Sequence, residues 1–271
     1  MKTRVISAIV MIVLVVACFA ISPITRILFL AAVAIMAVWE MCRVLSIKDI
    51  RCPAAILYVF VIAAAAAVYF KAEVEIIYAI YFLAVSAAVS AGVMSKSIRA
   101  MGTIGTTFIL VYPLLPFVLI MKISLSDIWI PVFTLACVST WVCDSFALFG
   151  GKRFGKNKLA PEVSPHKTIE GTICGAISAV VFSIGVYFAF KAYGPYQLPL
   201  WLCMVTALVA SSFGQMGDLA ASLFKRMAGL KDYSNLIPGH GGVMDRVDSL
   251  LLSIPCSYFI IYLYLISMGL I

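Results

Sequence analysis

Charge is what this sequence has least of. Only 12% of its residues are Asp, Glu, Lys or Arg, against about a quarter in soluble domains. Histidine is scarcer still, at two residues, which excludes a histidine-built metal centre. The eight cysteines Cys18, Cys42, Cys52, Cys137, Cys143, Cys174, Cys203 and Cys256 show no C-x-x-C spacing. Most lie in apolar segments, where a thiol behaves as a small hydrophobe, so neither a zinc site nor a disulfide framework is expected. Basic residues are not interleaved with aromatics in any tract, so no nucleic-acid partner is expected. The apolar start, MKTRVISAIVMIVLVVACFAISPIT, lacks a small-x-small cleavage site and runs into another apolar segment. It reads as a retained first helix.

What is there is hydrocarbon. Apolar residues make up 64% of the chain, and the mean hydropathy is +1.11. Nine segments reach spanning length, about 20 apolar residues each: 5–21, 27–42, 54–70, 76–94, 103–121, 128–147, 172–190, 198–217 and 249–271. The expected fold is all-α and polytopic. Pro113 and Pro116 predict a break in the fifth segment. The alanine run 62–68 suits close helix packing. The chain divides into an N-terminal helical half, 1–127, and a C-terminal half, 128–271, that carries the polar motifs.

Basic residues orient this array. Sixteen of the 20 Lys and Arg fall before the first span or in the alternate loops 43–53, 95–102, 148–171 and 218–248. The other loops hold Arg26, Lys71, Lys122 and Lys191. By the positive-inside rule the N-terminus is cytoplasmic and the C-terminus outside. Both long polar loops then face the cytoplasm, from a cytoplasmic (inner) membrane. The net charge of +8 becomes surface charge facing anionic lipid.

Two polar constellations stand out in the second half. The first is residues 140–171, TWVCDSFALFGGKRFGKNKLAPEVSPHKTIEG. Asp144 sits in an apolar helix, either as a structural ion pair or as a functional group. In its tail, Ser164, Lys167, Thr168 and Glu170 could hold phosphates or cap the next helix. The second is residues 214–249, GQMGDLAASLFKRMAGLKDYSNLIPGHGGVMDRVDS. On a continuing helix, Asp218, Ser222 and Lys225 share one face at i, i+4 and i+7, with Arg226 beside them. A break at Gly229 leads to Pro238-Gly239-His240-Gly241-Gly242, and Asp245 and Asp248 open a last helix. Glycines and a helix N-terminus suit a phosphate, aspartates suit Mg²⁺, and the cations neutralise further phosphate charge. The residues alone point to Mg²⁺-dependent phosphate chemistry at the inner membrane surface.

The spacing Ser222-x2-Lys225-Arg226-x4-Lys231-Asp232-x5-Pro238-Gly239-His240-Gly241-Gly242-x2-Asp245-Arg246-x-Asp248 resembles the signature of phosphatidate cytidylyltransferases (CDP-diacylglycerol synthases). The stretch from Asp144-Ser145 through Phe154-Gly155-Lys156 to Ser164-Pro165-x-Lys167-Thr168-x-Glu170-Gly171 is similar to that family's other recurrent segment. The resemblance covers 140–271. It implies CMP transfer from CTP to phosphatidic acid, giving CDP-diacylglycerol and pyrophosphate. It also implies Asp218, Asp245, Lys225 and Arg246 as catalytic residues, and Asp218 and Asp245, with Asp144 and Asp248 behind them, as Mg²⁺ ligands. Lys225, Arg226, Lys231 and Arg246 would hold phosphates. Ser222, Asp232, His240, Gly241 and Gly242 would line the substrate site, and Ser164, Lys167, Thr168 and Glu170 would close it. His240 is expected to bind, because ionised phosphatidate needs no general base. K⁺ as a second cation and a homodimer are compatible with the resemblance. The rivals are a cation- or proton-coupled transporter, or a CTP-dependent enzyme acting on another lipid. The DG-x-x-AR run of CDP-alcohol phosphotransferases is absent.

Overall fold

The computed structural model describes residues 2–194 and 196–270. Met1, Pro195 and Ile271 lie outside the described residues, so the expected last span is followed to residue 270. The chain is mostly helical and separates into two compact units, Met1–Leu125 with Phe224–Arg246, and Ser126–Leu223 with Val247–Ile271.

The first unit opens with α1 (Lys2–Ile21) and α2 (Pro23–Ser46). The junction is written locally: Ser22 caps α2 in a capping box with Thr25, and proline occupies the first turn. Next come α3 (Ala54–Tyr69), α4 (Val74–Met94), α5 (Arg99–Ile109), a π-helical turn (Leu110–Leu114) and α6 (Leu115–Ile123). The break expected from the prolines falls at Tyr112, whose backbone leaves helical geometry (φ −140°, ψ 114°) beside Pro113. Ala64, Ala65 and Ala67 of the alanine run are buried. Small side chains there let neighbouring helices approach closely.

The second unit begins with α7 (Trp129–Phe154). A hairpin of β1 (Lys158–Ala160) and β2 (Ser164–Thr168) follows, then α8 (Ile169–Tyr193). α7 and α8 pack through small residues. A Cβ on Gly150 would lie 2.6 Å from the Cys174 Cβ, and one on Gly171 would lie 2.6 Å from the Ala147 carbonyl oxygen. α9 (Leu200–Met227) and α10 (Met244–Ser267) complete the chain. Within this unit Gly214 meets the Thr140 side chain, and Gly217 meets the backbone of Asp248.

Among the described residues, seven helices are long and apolar enough to cross a membrane: α2, α4, the broken Arg99–Ile123 segment, α7, α8, α9 and α10. Shorter apolar helices occupy Ile6–Ile21 and Ala54–Tyr69. Large apolar side chains such as Ile12, Ile62, Phe82, Val181 and Leu263 are exposed on these helices. Water would not tolerate so much exposed apolar surface, whereas hydrocarbon favours it. This is a membrane protein.

Candidate active site

Within the first unit, the polar residues gather where α9 ends and α10 begins. α9 stops because Gly229 takes φ +71°. The Leu230 N–H then donates to the Lys225 carbonyl and the Gly229 N–H to the Arg226 carbonyl, a Schellman ending. The Arg226 guanidinium donates to the Leu230 carbonyl at 2.9 Å. This ending places Lys225 inward. Its Nζ donates to Asp245 Oδ1 at 2.6 Å and lies 5.4 Å from the Tyr233 ring centroid. The two charged side chains are only 9% and 3% exposed.

Asp245 organises more than the lysine. Its Oδ2 accepts from the Tyr233 N–H at 2.9 Å and the Gly242 N–H at 3.0 Å. Gly239 and Gly241 adopt φ of +78° and +81°, which is open to glycine at little cost. The turn they make is closed by the Ile237 N–H donating to the Gly241 carbonyl at 2.9 Å and the His240 N–H donating to the Ile237 carbonyl at 2.9 Å. A Cβ on Gly241 would sit 3.1 Å from Asp245 Oδ2 and 3.3 Å from the Asp232 Cβ. His240 meets α1: its Nδ1 is 2.8 Å from Ser7 Oγ, and that hydroxyl lies 3.1 Å from the Pro238 carbonyl. A hydroxyl has one proton. If it goes to Pro238, His240 Nδ1 carries the hydrogen and Nε2 is the nitrogen left to face a ligand. Arg226, Lys231, Asp232 and Arg246 are exposed around this turn.

The sequence reading leaves the N–H groups at the start of α10 to a phosphate. The structure gives them to Glu40 instead. This α2 carboxylate is fully buried. Its Oε1 accepts from Val243 N–H at 2.9 Å and Ser234 Oγ at 2.5 Å, and its Oε2 accepts from Met244 N–H at 2.7 Å. A buried carboxylate must find donors, and a helix start supplies both donors and a favourable dipole. Gly242 is glycine because a Cβ there would lie 2.8 Å from the Glu40 carboxyl carbon. These N–H groups are therefore already taken by a protein carboxylate. Glu40 is the residue that sequence reasoning missed. Its signal was the single acid of a largely apolar helix, but its partners lie some two hundred residues away.

The second unit holds the other candidates. Lys167, on β2, forms an ion pair with Asp218 on α9, their side chains 23% and 29% exposed. Asp144, on α7, lies within electrostatic reach of both. Two candidate closing residues have local employment. Thr168 caps α8 by accepting from the Gly171 N–H at 3.1 Å. Glu170 accepts from the Lys156 and Asn157 N–H groups and from Asn157 Nδ2 at 2.8 Å, so it pins the turn before β1. Ser164 is half-buried at the start of β2. Ser222 and Asp248 are buried, and Asp248 Oδ1 accepts from the Ser249 N–H at 2.7 Å.

For a metal, the donor sets differ. Among the described residues no group of three or more His, Cys, Asp or Glu converges. Mg²⁺ asks for less: one or two carboxylates, with waters and substrate phosphates completing its octahedron. Asp144 and Asp218, half-open beside one lysine, fit that demand. Asp245, with both oxygens taken by protein donors, would reach a metal only by releasing one of them.

A family model described as "Cytidylyltransferase family" matches residues 2–264. The chain belongs to this family. Among curated proteins it is similar to the phosphatidate cytidylyltransferase of Bacillus subtilis (strain 168), 43% identical over 129 residues, which is 48% of this chain and 46% of that relative. The Haemophilus influenzae protein of the same name is 47% identical over 125 residues, covering 45% of this chain and 43% of that one. The Staphylococcus haemolyticus protein, also so named, is 41% identical over 120 residues, 44% of this chain and 45% of the relative. The chain spans about half the length of the curated relatives it matches.

Proposed function

We propose that the protein transfers CMP from CTP to phosphatidic acid, releasing CDP-diacylglycerol and pyrophosphate. The observation that carries this reading is the buried Lys225–Asp245 pair. It anchors a glycine turn ringed by Arg226, Lys231, His240 and Arg246, in a family whose relatives bear that activity in their names. In the reaction, a phosphate oxygen of phosphatidate attacks the α-phosphorus of CTP. A P–O bond forms there, the bond to the β-phosphate's bridging oxygen breaks, and pyrophosphate leaves. Phosphatidate is already ionised, so no base is required, and catalysis rests on alignment and charge neutralisation. Arg226, Lys231 and Arg246 bind phosphates, while Lys225 holds Asp245 and through it the turn. His240 offers Nε2 to the nucleotide, and Ser222, Asp232, Gly241 and Gly242 shape the same site. Lys167 meets phosphate in the second unit, with Ser164, Thr168 and Glu170 holding its hairpin.

Asp144 and Asp218 would hold Mg²⁺, which when bound neutralises phosphate charge; Asp245 and Asp248 are the remaining candidate ligands. A second cation such as K⁺ and a homodimer belong to the same proposal. So do nine crossings of a cytoplasmic membrane, with the N-terminus and both polar loops in the cytoplasm and the C-terminus outside. In support, CTP comes from water and phosphatidate stays in the bilayer, so polar loops on one face serve both. The basic-residue asymmetry favours the cytoplasmic face.

The test uses the purified protein in detergent with CTP, phosphatidic acid and Mg²⁺. Pyrophosphate release that depends on the lipid is expected. Its absence from a folded, CTP-binding preparation overturns the assignment. Release with a polyprenol or another lipid alcohol in place of phosphatidate redirects it to another CTP-dependent enzyme.

A further inference from the structure

We infer that Glu40 is a positioning residue for the nucleotide site: it fixes residues 242–244 so that Asp245 meets Lys225. The inference rests on the reading of the glycine turn as that site. Three facts lead to it. Glu40 is fully buried in a largely apolar helix, where an acid must find donors. All three of its hydrogen-bond donors come from the segment 234–244. One residue further on, Asp245 uses Gly242 N–H and Tyr233 N–H to close the same segment from the other side. The turn is thus held between two carboxylates, Glu40 beneath Val243 and Met244, and Asp245 bridging Gly242 to Tyr233.

The division of labour follows from this geometry. Asp245 touches the cation Lys225 and belongs to the site. Glu40 touches backbone and a serine hydroxyl, and acts through them. Ser234 is the intermediate: it donates to Glu40 and accepts from the Leu236 N–H at 3.1 Å, linking the carboxylate to the segment that enters the glycine turn. The N-terminal half of the chain thereby acquires a task in the chemistry: α2 supplies the acid that sets the turn, and the Ser7 contact of α1 with His240 adds a second hold.

Glu40→Gln keeps the size but replaces one acceptor with an NH₂ group facing backbone donors. The expected result in the full-length protein is a fall in kcat/KM for CTP of about tenfold or more, as one buried donor loses its partner and alignment loosens. KM for phosphatidate should stay within about twofold, because the lost contacts belong to the nucleotide side. Ser234→Ala, which removes one bond of the three, should cost about threefold. The double variant should be no worse than Glu40→Gln alone, since Ser234 acts through Glu40. Amide hydrogen exchange should rise in residues 232–246 and stay at the wild-type level elsewhere. Wild-type CTP constants in Glu40→Gln overturn the inference, and so does an exchange increase spread evenly over the chain. If Glu40→Gln does not fold, Ser234→Ala decides, and wild-type CTP constants there overturn it. If the wild type shows no CTP turnover, the proposed function fails, while the exchange comparison still decides whether Glu40 holds the turn.

Discussion

Glu40 and Asp245 of the first unit differ from Asp144 and Asp218 of the second in how completely the protein already satisfies them. Glu40 and Asp245 each accept three hydrogen bonds from fixed donors, and their side chains are almost wholly buried. Asp218 meets Lys167 with about a quarter of each side chain still exposed, and Asp144 lies near both. A saturated acid builds shape, and an unsaturated one keeps capacity for a ligand. The motif reading ranks Asp218 and Asp245 together because spacing reports residue type and interval. Burial and donors separate them.

Breaking the saturated pair should have the largest effect. Asp245→Asn leaves Lys225 buried beside a neutral amide, where a lone buried charge costs about 3–5 kcal/mol. Pyrophosphate release should fall at least about a hundredfold, and the thermal midpoint in detergent should drop. A variant with normal stability and lost activity would instead make Asp245 a ligand with no part in the architecture. Next comes Gly242→Ala, whose new methyl meets the Glu40 carboxylate. Overpacking of this kind costs about 1–3 kcal/mol, visible as a lowered midpoint and weaker CTP turnover. Asp218→Asn sharpens the other side of the comparison. Turnover should fall and the Mg²⁺ concentration for half-maximal rate should rise several-fold, on the order of the effect of losing one of two carboxylates. Stability should fall less than in Asp245→Asn, since this pair is more open to solvent than Lys225–Asp245. A large stability loss there would erase the distinction between the units. The smallest effect is expected for Glu170→Ala, which strips the acceptor from the Lys156 and Asn157 N–H groups. These donors are exposed and can turn to water, so about 1 kcal/mol or less is expected, with near-normal turnover.

Much of the fold was legible because a bilayer leaves little choice. Helix follows from apolar length, since hydrocarbon leaves backbone groups no other partner. The break at Tyr112 followed from Pro113 and Pro116, and the end of α9 from Gly229. Among the described residues seven helices meet the spanning criterion, and α3, at 16 residues, is shorter, because apolar length alone does not set where a helix is capped. The β-hairpin corrects the all-α expectation and was not legible: SPHKT pairs with KLA across a short turn, and nothing in its alternation announces a hairpin.

By itself the sequence determined that this is an apolar helical protein with two polar segments, and its motif spacing named the candidates for a phosphate-handling site. Those are properties of composition and interval, which survive in one dimension. Only the tertiary structure decided which acids are spent on architecture. Glu40 has no motif around it, and its three donors lie 194 to 204 residues away along the chain. Whether a carboxylate holds the fold or awaits a ligand depends on the donors that packing brings to it.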